Sequence, residues 1–266
     1  MLEKDKDRTR DNSRRLPSIK VVGLGPGGLE DLTLKAKAAL EAADCVVGYT
    51  RYVDLVRPLI DGKGKEVFST GMTREVERCE KAIAIAKEGK LVAVVSSGDS
   101  GIYGMAGLIL ELLSNDKGVD VEVIPGVPAF VAAASLLGAP LMHDFASISL
   151  SDLLTEWSLI ETRLDGAARA DFVIALYNPK SSKRVEGLFR ALDVIGRHRA
   201  PETPVGIVRN ASREDEEVII TTLKEAPSFA GKIDMLTILI IGNSATYSAG
   251  GRIITPRGYK LEGKGR

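Results

Sequence analysis

The stretch SSGDSGIYGMAG, residues 96–107, follows the apolar run Leu91–Val95, which is typical of a fully buried β-strand. Its glycines stand at every third position, at residues 98, 101, 104 and 107. Glycines at the carboxyl end of a buried strand remove the Cβ atoms where a ligand would meet the backbone. The structural alternative is a crowded turn between a strand and a helix, but such a turn needs only one or two glycines. The pattern therefore favours a ligand-binding loop in an α/β fold.

Short apolar runs alternate with helical periodicity on both sides of this loop. In the first half of the chain we expect helices at Leu32–Ala42 and Arg74–Glu88, between strands at Ile19–Gly23, Cys45–Val47, Lys65–Phe68, Leu91–Val95 and Val121–Ile124. Strands that alternate with helices of this length are typical of a parallel sheet covered on both faces.

The pattern is interrupted near Gly138–Ala146, and a second α/β unit follows. Its predicted strands are Ser147–Leu150, Phe172–Leu176, Val205–Val208, Glu217–Thr222 and Leu236–Ile241, with helices around Glu156–Ala168 and Arg184–Arg197. The last two strands follow each other without a helix, which favours antiparallel pairing at the edge of a mixed sheet. We therefore predict two α/β domains, at 19–142 and 143–256, with tails at 1–18 and 257–266 and a ligand cleft between the domains.

Composition limits the classes of function. Lys and Arg together number 36, as do Asp and Glu, so the zero net charge gives no support for a nucleic-acid-binding protein. Cys45, Cys79 and the two histidines form no recognisable metal-binding spacing, and we expect no metal site. Both cysteines lie on predicted apolar faces, so we expect buried free thiols, which are compatible with a reducing cytoplasm. No apolar run is long enough to span a membrane, and the charged residues 1–18 are typical of a disordered tail rather than a signal peptide.

A second glycine-rich loop, GLGPGG at residues 23–28, matches the dinucleotide-binding pattern GxGxxG by letter. Two features argue against that function. The second strand ends in Val46–Tyr49 without the acidic residue that would bind a ribose, and Pro26 removes a backbone N–H from the loop. A dehydrogenase is therefore disfavoured, and no Walker A loop is present.

Five loops follow predicted strands at their carboxyl ends, which is the edge where open α/β sheets bind ligands. They are GLGPGG (23–28), SSGDSGIYG (96–104), PGVPA (125–129), YNPKS (177–181) and VRNASR (208–213). Glycine and proline give a ligand access to the backbone, while Asp99, Asn178 and Asn210 supply polar groups. These residue types suit a small neutral or zwitterionic ligand better than a phosphate.

In this order and spacing the five loops resemble those of the tetrapyrrole (corrin and porphyrin) methyltransferases, a two-domain family that uses S-adenosylmethionine. The similarity extends from about Ile19 to Ile254. Four longer stretches resemble the subfamily that methylates C17 of precorrin-3B or cobalt-precorrin-3, with ring contraction, in cobalamin biosynthesis: GYTRYVDL (48–55), SSGDSGIYGMAG (96–107), PLMHDFASISLSDLLTEW (140–157) and DFVIALYNPKSSKR (171–184). The resemblance implies the tetrapyrrole methylase fold, a tetrapyrrole substrate and a homodimer.

The resemblance also implies which residues contact S-adenosylmethionine. These positions match the family's cofactor loops: Pro26, Ser97, Gly98, Asp99, Ile102, Pro128, Ala129, Asn178, Asn210 and Ala211. One departure concerns the second strand, where relatives that methylate uroporphyrinogen carry an Asp after the tyrosine. Here Tyr49 is followed by Thr50, which argues against that activity.

Ring contraction would benefit from an acid–base group near the substrate. His143 and Asp144 are our candidates, because they adjoin the predicted domain boundary; a hinge histidine beside a turn-capping aspartate is the alternative. A substrate with many carboxylates would also need basic side chains. The candidates lie in or next to the loops, although each of them is also explained as a solvated surface residue: Arg51, Arg74, Lys183, Arg184, Arg209 and Arg213.

Two other functions stay open on the sequence. One is a methyltransferase of the same fold that acts at another corrin position or on the diphthamide precursor. The other is a non-catalytic module that binds a tetrapyrrole or a nucleotide. Transfer of labelled methyl groups distinguishes either enzyme from the binding module.

Overall fold

The computed structural model describes residues 17–181 and 184–260. Residues 1–16 and 261–266, which make up most of the two predicted tails, lie outside the described residues. Contacts divide the chain into two compact units. Among the described residues, the first contains 17–25 and Leu32–Gly126, and the second contains Pro26–Asp31, 127–181 and 184–260.

The first unit is a five-stranded parallel sheet with the strand order β3-β2-β4-β1-β5. Its strands are β1 (Ser18–Gly23), β2 (Cys45–Tyr49), β3 (Glu66–Thr70), β4 (Leu91–Ser96) and β5 (Asp120–Ile124). Its helices are α1 (Leu34–Ala42), α2 (Thr50–Leu55), α3 (Arg57–Ile60), α4 (Glu75–Lys87) and α5 (Ala106–Leu112).

Alternation along the central strands gives this sheet a buried face on each side. Val92 and Val94 of β4 pack in one cluster with residues of α4 and α5, including Cys79 and Ile109. The next residues along the strand, such as Ala93, pack in the opposite cluster with α1 and α3. The parallel sheet covered on both faces is therefore confirmed.

The second unit contains a mixed sheet with the strand order β10-β9-β11-β8-β7. Its strands are β7 (Phe145–Ser149), β8 (Val173–Tyr177), β9 (Pro204–Arg209), β10 (Glu217–Thr222) and β11 (Thr237–Ile241). Its helices are α6 (Ala129–Leu137), α7 (Trp157–Arg169) and α8 (Glu186–Gly196). A small sheet adds β6 (Gly138–Ala139), β12 (Tyr247–Ala249) and β13 (Arg252–Ile254), and short 3₁₀ segments cover Leu29–Asp31 and Ala226–Lys232.

The mixed character of the second sheet is confirmed, but its last two long strands are not neighbours. β7 and β8 are parallel, whereas β11 runs antiparallel to both β8 and β9 and lies between them. β10 pairs with β9 at the edge. β11 is buried along its whole length, which agrees with the apolar run ILII that follows Thr237.

The boundary between the units lies after Gly126, not between residues 142 and 143 as the sequence suggested. The reason is helix α6, which contacts β9, β10 and β11 of the second unit. Leu137 of this helix contacts Gly206 of β9 so closely that a Cβ at residue 206 would lie 2.2 Å from a Leu137 methyl carbon. The predicted cleft between the domains stays a prediction.

Both cysteines are buried and free, as predicted. Burial raises the pKa of the Cys45 thiol to about 11 and that of Cys79 to about 12, so both are protonated at neutral pH. Within the described ranges, no helix is long and apolar enough to cross a membrane. No group of three or more His, Cys, Asp and Glu side chains in the same ranges could hold a metal ion.

Candidate functional site

In the first unit, three glycine-containing loops meet at the carboxyl edge of the sheet. β4, β1 and β5 are neighbours and parallel, so the loops after these strands leave the sheet side by side. The backbones of Gly25 and Gly98 form an isolated bridge. The Gly98 N–H donates to the Gly25 carbonyl at 2.6 Å, and the Gly25 N–H donates to the Gly98 carbonyl at 3.0 Å.

These loops approach each other too closely for side chains. A Cβ at Gly23 would lie 2.5 Å from the Gly126 nitrogen, and a Cβ at Gly126 would lie 2.3 Å from the Gly98 carbonyl oxygen. Gly98 also has a φ of +67°, which is unfavourable for residues with a Cβ. Contact between loops therefore explains Gly23 and Gly126, and backbone conformation explains Gly98. At Gly107 an added Cβ would meet no atom within 4 Å, so contact does not explain that glycine.

Asp99 and Ser100 tie the same loops together. One Asp99 oxygen accepts a hydrogen bond from the Gly101 N–H at 2.8 Å, and the other accepts one from the Gly126 N–H at 3.0 Å. The Ser100 hydroxyl is fully buried beside two backbone carbonyls, those of Val21 at 3.2 Å and Ile124 at 3.3 Å. Sequence reasoning did not single out Ser100. The available indication was a serine between glycines in a loop that follows a buried strand.

The other predicted cofactor residues of the loop after β4 lie next to Asp99 and Ser100 in the chain. Ser97 and Ile102 are half-buried, and Gly98 is buried. Tyr103 has a φ of +54° and a side chain that is 55% exposed. A non-glycine residue in this conformation is uncommon, and such residues concentrate at functional sites.

In the second unit, the part of the GLGPGG loop that begins at Pro26 is held by the loop after β9. Pro26 is buried, and its carbonyl accepts a 2.6 Å hydrogen bond from Arg213 Nε. A Cβ at Gly27 would lie 2.4 Å from the Ser212 carbonyl oxygen. Arg213, predicted as a substrate-binding residue, therefore anchors a predicted cofactor loop.

Asn178 and Asn210 occupy equivalent positions, because each directly follows the last residue of its strand, β8 or β9. β8 and β9 both run antiparallel to β11, so their carboxyl ends lie at the same edge. Both asparagines have left-handed backbone conformations, with φ values of +50° and +54°. Asn178 Nδ2 donates to Ser149 Oγ at 2.9 Å, and the Asn210 N–H donates to the Leu236 carbonyl at 3.1 Å. Ala211, which follows Asn210, is buried.

Pro128 and Ala129 begin helix α6 near the end of β8. Pro128 is the N-cap and provides no side-chain hydrogen bond. The Phe130 N–H instead donates to the Tyr177 hydroxyl at 3.2 Å, and the two rings meet edge to face at 6.2 Å. Tyr177 thus satisfies one of the open N–H groups in the first turn of the helix.

The candidate acid–base pair lies at the opposite edge of this sheet. Asp144 accepts a backbone hydrogen bond from Val173, the first residue of β8, whereas Asn178 follows the last. At about 3.3 Å per residue, a five-residue strand separates the two edges by about 16 Å. His143 and Asp144 are exposed, and His143 Nδ1 accepts the Asp144 N–H at 2.9 Å. The structure does not bring this pair together with Asn178 and Asn210. The hydrogen bond within the pair joins the Asp144 backbone N–H to the His143 ring and does not involve the Asp144 carboxylate, so both roles given to the pair stay predictions.

Several predicted substrate-binding residues already have acidic partners. Arg74 pairs with Glu77 on α4, and Arg209 Nε donates to Asp234 at 2.9 Å. The hydrogen bond to Asp234 raises the pKa of Arg209. Burial acts to raise the pKa of Asp234, but hydrogen bonds from Arg209, the Leu236 N–H and Thr237 outweigh it and lower the pKa.

The other predicted basic residues differ in their surroundings. Arg51 is exposed on α2, and Lys183 lies outside the described residues. Arg184 is largely buried after β8, with its nearest carboxylate oxygen, from Asp152, at 3.6 Å. Of the candidates, Arg184 alone combines burial with distant partners among the residues that the structure describes.

The sequence of this chain matches a protein-family model and several methyltransferases. The model of the Tetrapyrrole (Corrin/Porphyrin) Methylases matches residues 18–227. The protein of Salmonella typhimurium named "Probable cobalt-factor III C(17)-methyltransferase" is 51% identical over 244 residues, which cover 91% of this chain and 100% of the relative. The "Cobalt-factor III methyltransferase" of Priestia megaterium is 48% identical over 245 residues and 90% of this chain, and this chain spans only 45% of that longer relative.

Solved structures with this fold include the methyltransferase CobJ, which superposes with a TM-score of 0.84 at 35% identity and covers 90% of this chain and 99% of CobJ. Uroporphyrin-III C-methyl transferase from Thermus thermophilus, complexed with S-adenyl homocysteine, has a TM-score of 0.65 at 26% identity. That match covers 85% of this chain and 97% of the other. With its parallel first sheet, its mixed second sheet and a family match over most of its length, this chain belongs to the tetrapyrrole (corrin/porphyrin) methylases.

Proposed function

We propose that this chain is an S-adenosylmethionine-dependent C17-methyltransferase of cobalamin biosynthesis that acts on cobalt-factor III, with ring contraction. The observation that carries the proposal is the 51% identity to the Salmonella relative over all of that relative's length. The names of both relatives favour the cobalt-containing substrate over metal-free precorrin-3B. Cobalt enters this proposal as part of the substrate.

The donors and acceptors in both units fit S-adenosylmethionine. In the first unit, residues 97–102 form a loop of half-buried polar groups and close-packed glycine backbone. In the second unit, left-handed turns at Asn178 and Asn210 lie at one sheet edge. Backbone amides and carbonyls in such turns suit the polar groups of a zwitterionic ligand, and a related structure has S-adenyl homocysteine bound. We propose that Pro26, Pro128, Ala129 and Ala211, which also belong to the second unit, border the ligand beside these turns.

S-adenosylmethionine supplies an electrophilic methyl group when it is bound. The residues of this chain then have to orient the reacting atoms in line and exclude water, which accounts for much of the rate of such a transfer. Short glycine loops held by Asp99 and Ser100 suit this task because their backbones have little freedom to move. The proton transfers of ring contraction need a group at the substrate, and Tyr177 is the titratable side chain beside Asn178 at the carboxyl end of β8.

Incubation of the purified protein with methyl-labelled S-adenosylmethionine and cobalt-factor III tests the proposal. We expect one labelled methyl group per tetrapyrrole by mass, attached at C17 by NMR, and a change in absorbance as the ring contracts. Metal-free precorrin-3B serves as the comparison substrate. Stoichiometric binding without label transfer would identify a binding module, and label at another carbon would identify a methyltransferase of different regiochemistry; either result contradicts the proposal.

A further inference from the structure

A pocket of about 330 Å³ lies within the second unit, between the first turns of α7 and α8. We call it the α7–α8 pocket, and its lining includes Leu150, Asp152, Trp157, Pro179, Arg184 and Arg190. Leu150 directly follows β7, and Pro179 directly follows Asn178. The pocket therefore opens at the carboxyl edge of β7 and β8, the same edge as the predicted cofactor residue Asn178.

Arg184 is a poorly satisfied cation in this pocket. Its side chain is 19% exposed, yet its contacts with oxygen are long, at 3.4 Å to the Leu150 carbonyl and 3.6 Å to Asp152, and its third partner at 3.3 Å is the Met235 sulfur, which is a weak acceptor. Charge-assisted hydrogen bonds between a guanidinium and a carboxylate are normally 2.7–2.9 Å long. A largely buried guanidinium thus has donor capacity that the described residues do not use at close range.

Trp157 supplies a second unused donor. Its indole Nε1 is buried and has no hydrogen-bond partner among the described residues. The ring is fixed on two sides, because Arg190 stacks over it at 4.6 Å and a Cβ at Gly187 would lie 3.2 Å from its Cζ3 atom. A buried N–H without an acceptor is costly, so its retention here needs an explanation.

The helix termini and the charge balance indicate what kind of acceptor fits. Helices α7 and α8 begin at the pocket, and neither of their N-cap residues makes a side-chain hydrogen bond. Open N–H groups at helix N-termini favour an anion. Arg184 and Arg190 are balanced by Asp152 and Glu186 in the lining. A single negative charge therefore suits the pocket better than a phosphate dianion.

We propose that the α7–α8 pocket binds one peripheral carboxylate of the tetrapyrrole substrate, with Arg184 as its ion-pair partner and the Trp157 indole N–H as a second donor. The inference rests on the proposed function, because that function supplies a substrate with carboxylated side chains. It assigns to Trp157 a role in substrate binding and gives Arg184 a specific ligand group.

A binding experiment tests the pocket without turnover. Trp157 is the only tryptophan of the chain, so intrinsic fluorescence reports on the pocket directly. Sodium propionate is titrated against sodium chloride and sodium phosphate at equal ionic strength. We expect a saturable change in fluorescence with propionate alone, loss of saturation in Arg184→Gln, and no loss in the control Arg163→Gln, which alters an exposed arginine of the same helix as Trp157. Absence of saturation in the wild type, or equal saturation with phosphate, overturns the inference.

A kinetic experiment distinguishes this inference from the proposed function. Trp157→Phe keeps the stacked ring and removes the N–H, so it also serves if Arg184→Gln fails to fold. We expect KM for cobalt-factor III to rise about tenfold in each variant, with an unchanged dissociation constant for S-adenosylmethionine. If the wild type transfers no methyl group, the proposed function is contradicted. The propionate titration then still tests whether the α7–α8 pocket binds a carboxylate. If the wild type is active and KM is unchanged in both variants, the inference that the pocket binds a substrate carboxylate is overturned, whereas the proposed function is not.

Discussion

The carboxylate of Asp99 accepts the backbone N–H of Gly126 at 3.0 Å and so joins the loop after β4 to the loop after β5. Its second oxygen accepts the Gly101 N–H within its own loop. The resemblance to the family predicts that Asp99 contacts the cofactor, yet both of its oxygens already accept backbone donors in this chain. The contacts of Asp99 therefore hold these two loops in position.

Asp99→Asn should destabilise the first unit and weaken cofactor binding together. The substitution turns one acceptor oxygen into an NH₂ group that faces a backbone N–H, which leaves one loop contact unmade at a cost of about 1–2 kcal/mol. Denaturant unfolding measures the stability, and calorimetry measures the affinity for S-adenosylmethionine. Asp116→Asn is the matched control, because Asp116 also accepts a glycine N–H two residues along the chain but lies outside the candidate loops. Equal losses of cofactor affinity in the two variants would contradict the role given to Asp99.

Gly126→Ala should be far more harmful than Gly107→Ala, although both add one methyl group near the same loop. At Gly126 the new Cβ would lie 2.3 Å from the Gly98 carbonyl oxygen, so the backbone must shift, at a cost of about 1–3 kcal/mol. At Gly107, on α5, the Cβ meets no atom within 4 Å, and alanine should stabilise the helix by about 0.5–1 kcal/mol. Thermal unfolding of both variants checks the contrast. Similar midpoints would show that the loops tolerate the added atom.

Part of this site was predictable because strand and loop are adjacent in sequence. Leu91–Val95 identified β4 and the glycines after it identified the loop, since local hydrophobicity and turn chemistry are readable over a few residues. The contact of Arg213 with Pro26 was not predictable, because it joins residues 187 positions apart. Helix α6 was missed as the start of the second unit for a similar reason. Its apolar sequence AFVAAASLL shows no amphipathic face, and its assignment depends on contacts with β9, β10 and β11.

The pair formed by Arg209 and Asp234 should make stability depend on pH in the acid range. The pKa of Asp234 is lowered in the folded protein from an ordinary value of 3.8. A group of this kind stabilises the fold above its unfolded pKa, and the contribution is lost as the pH falls through the lower folded value. We therefore expect the thermal midpoint of the wild type to fall below about pH 4. Arg209→Gln should reduce that fall, because it removes a hydrogen bond that lowers the pKa. An identical pH profile for the variant would contradict this account.

His143→Ala and Asp144→Asn should leave methyl transfer nearly unchanged, with kcat/KM within about twofold of the wild type. Both residues are exposed at the edge of the second sheet where β7 and β8 begin, about one strand length, or roughly 16 Å, from Asn178. A proton donor or acceptor has to reach the reacting group within about 3 Å or through one water, and the carboxyl edge lies beyond that reach.

Tyr177→Phe is the comparison, because the phenol lies at the carboxyl edge. It should slow ring contraction and also remove the acceptor of the Phe130 N–H, at a cost of about 1 kcal/mol in stability. A large loss of activity in His143→Ala, with full activity in Tyr177→Phe, would contradict this prediction and support His143 as the acid–base residue.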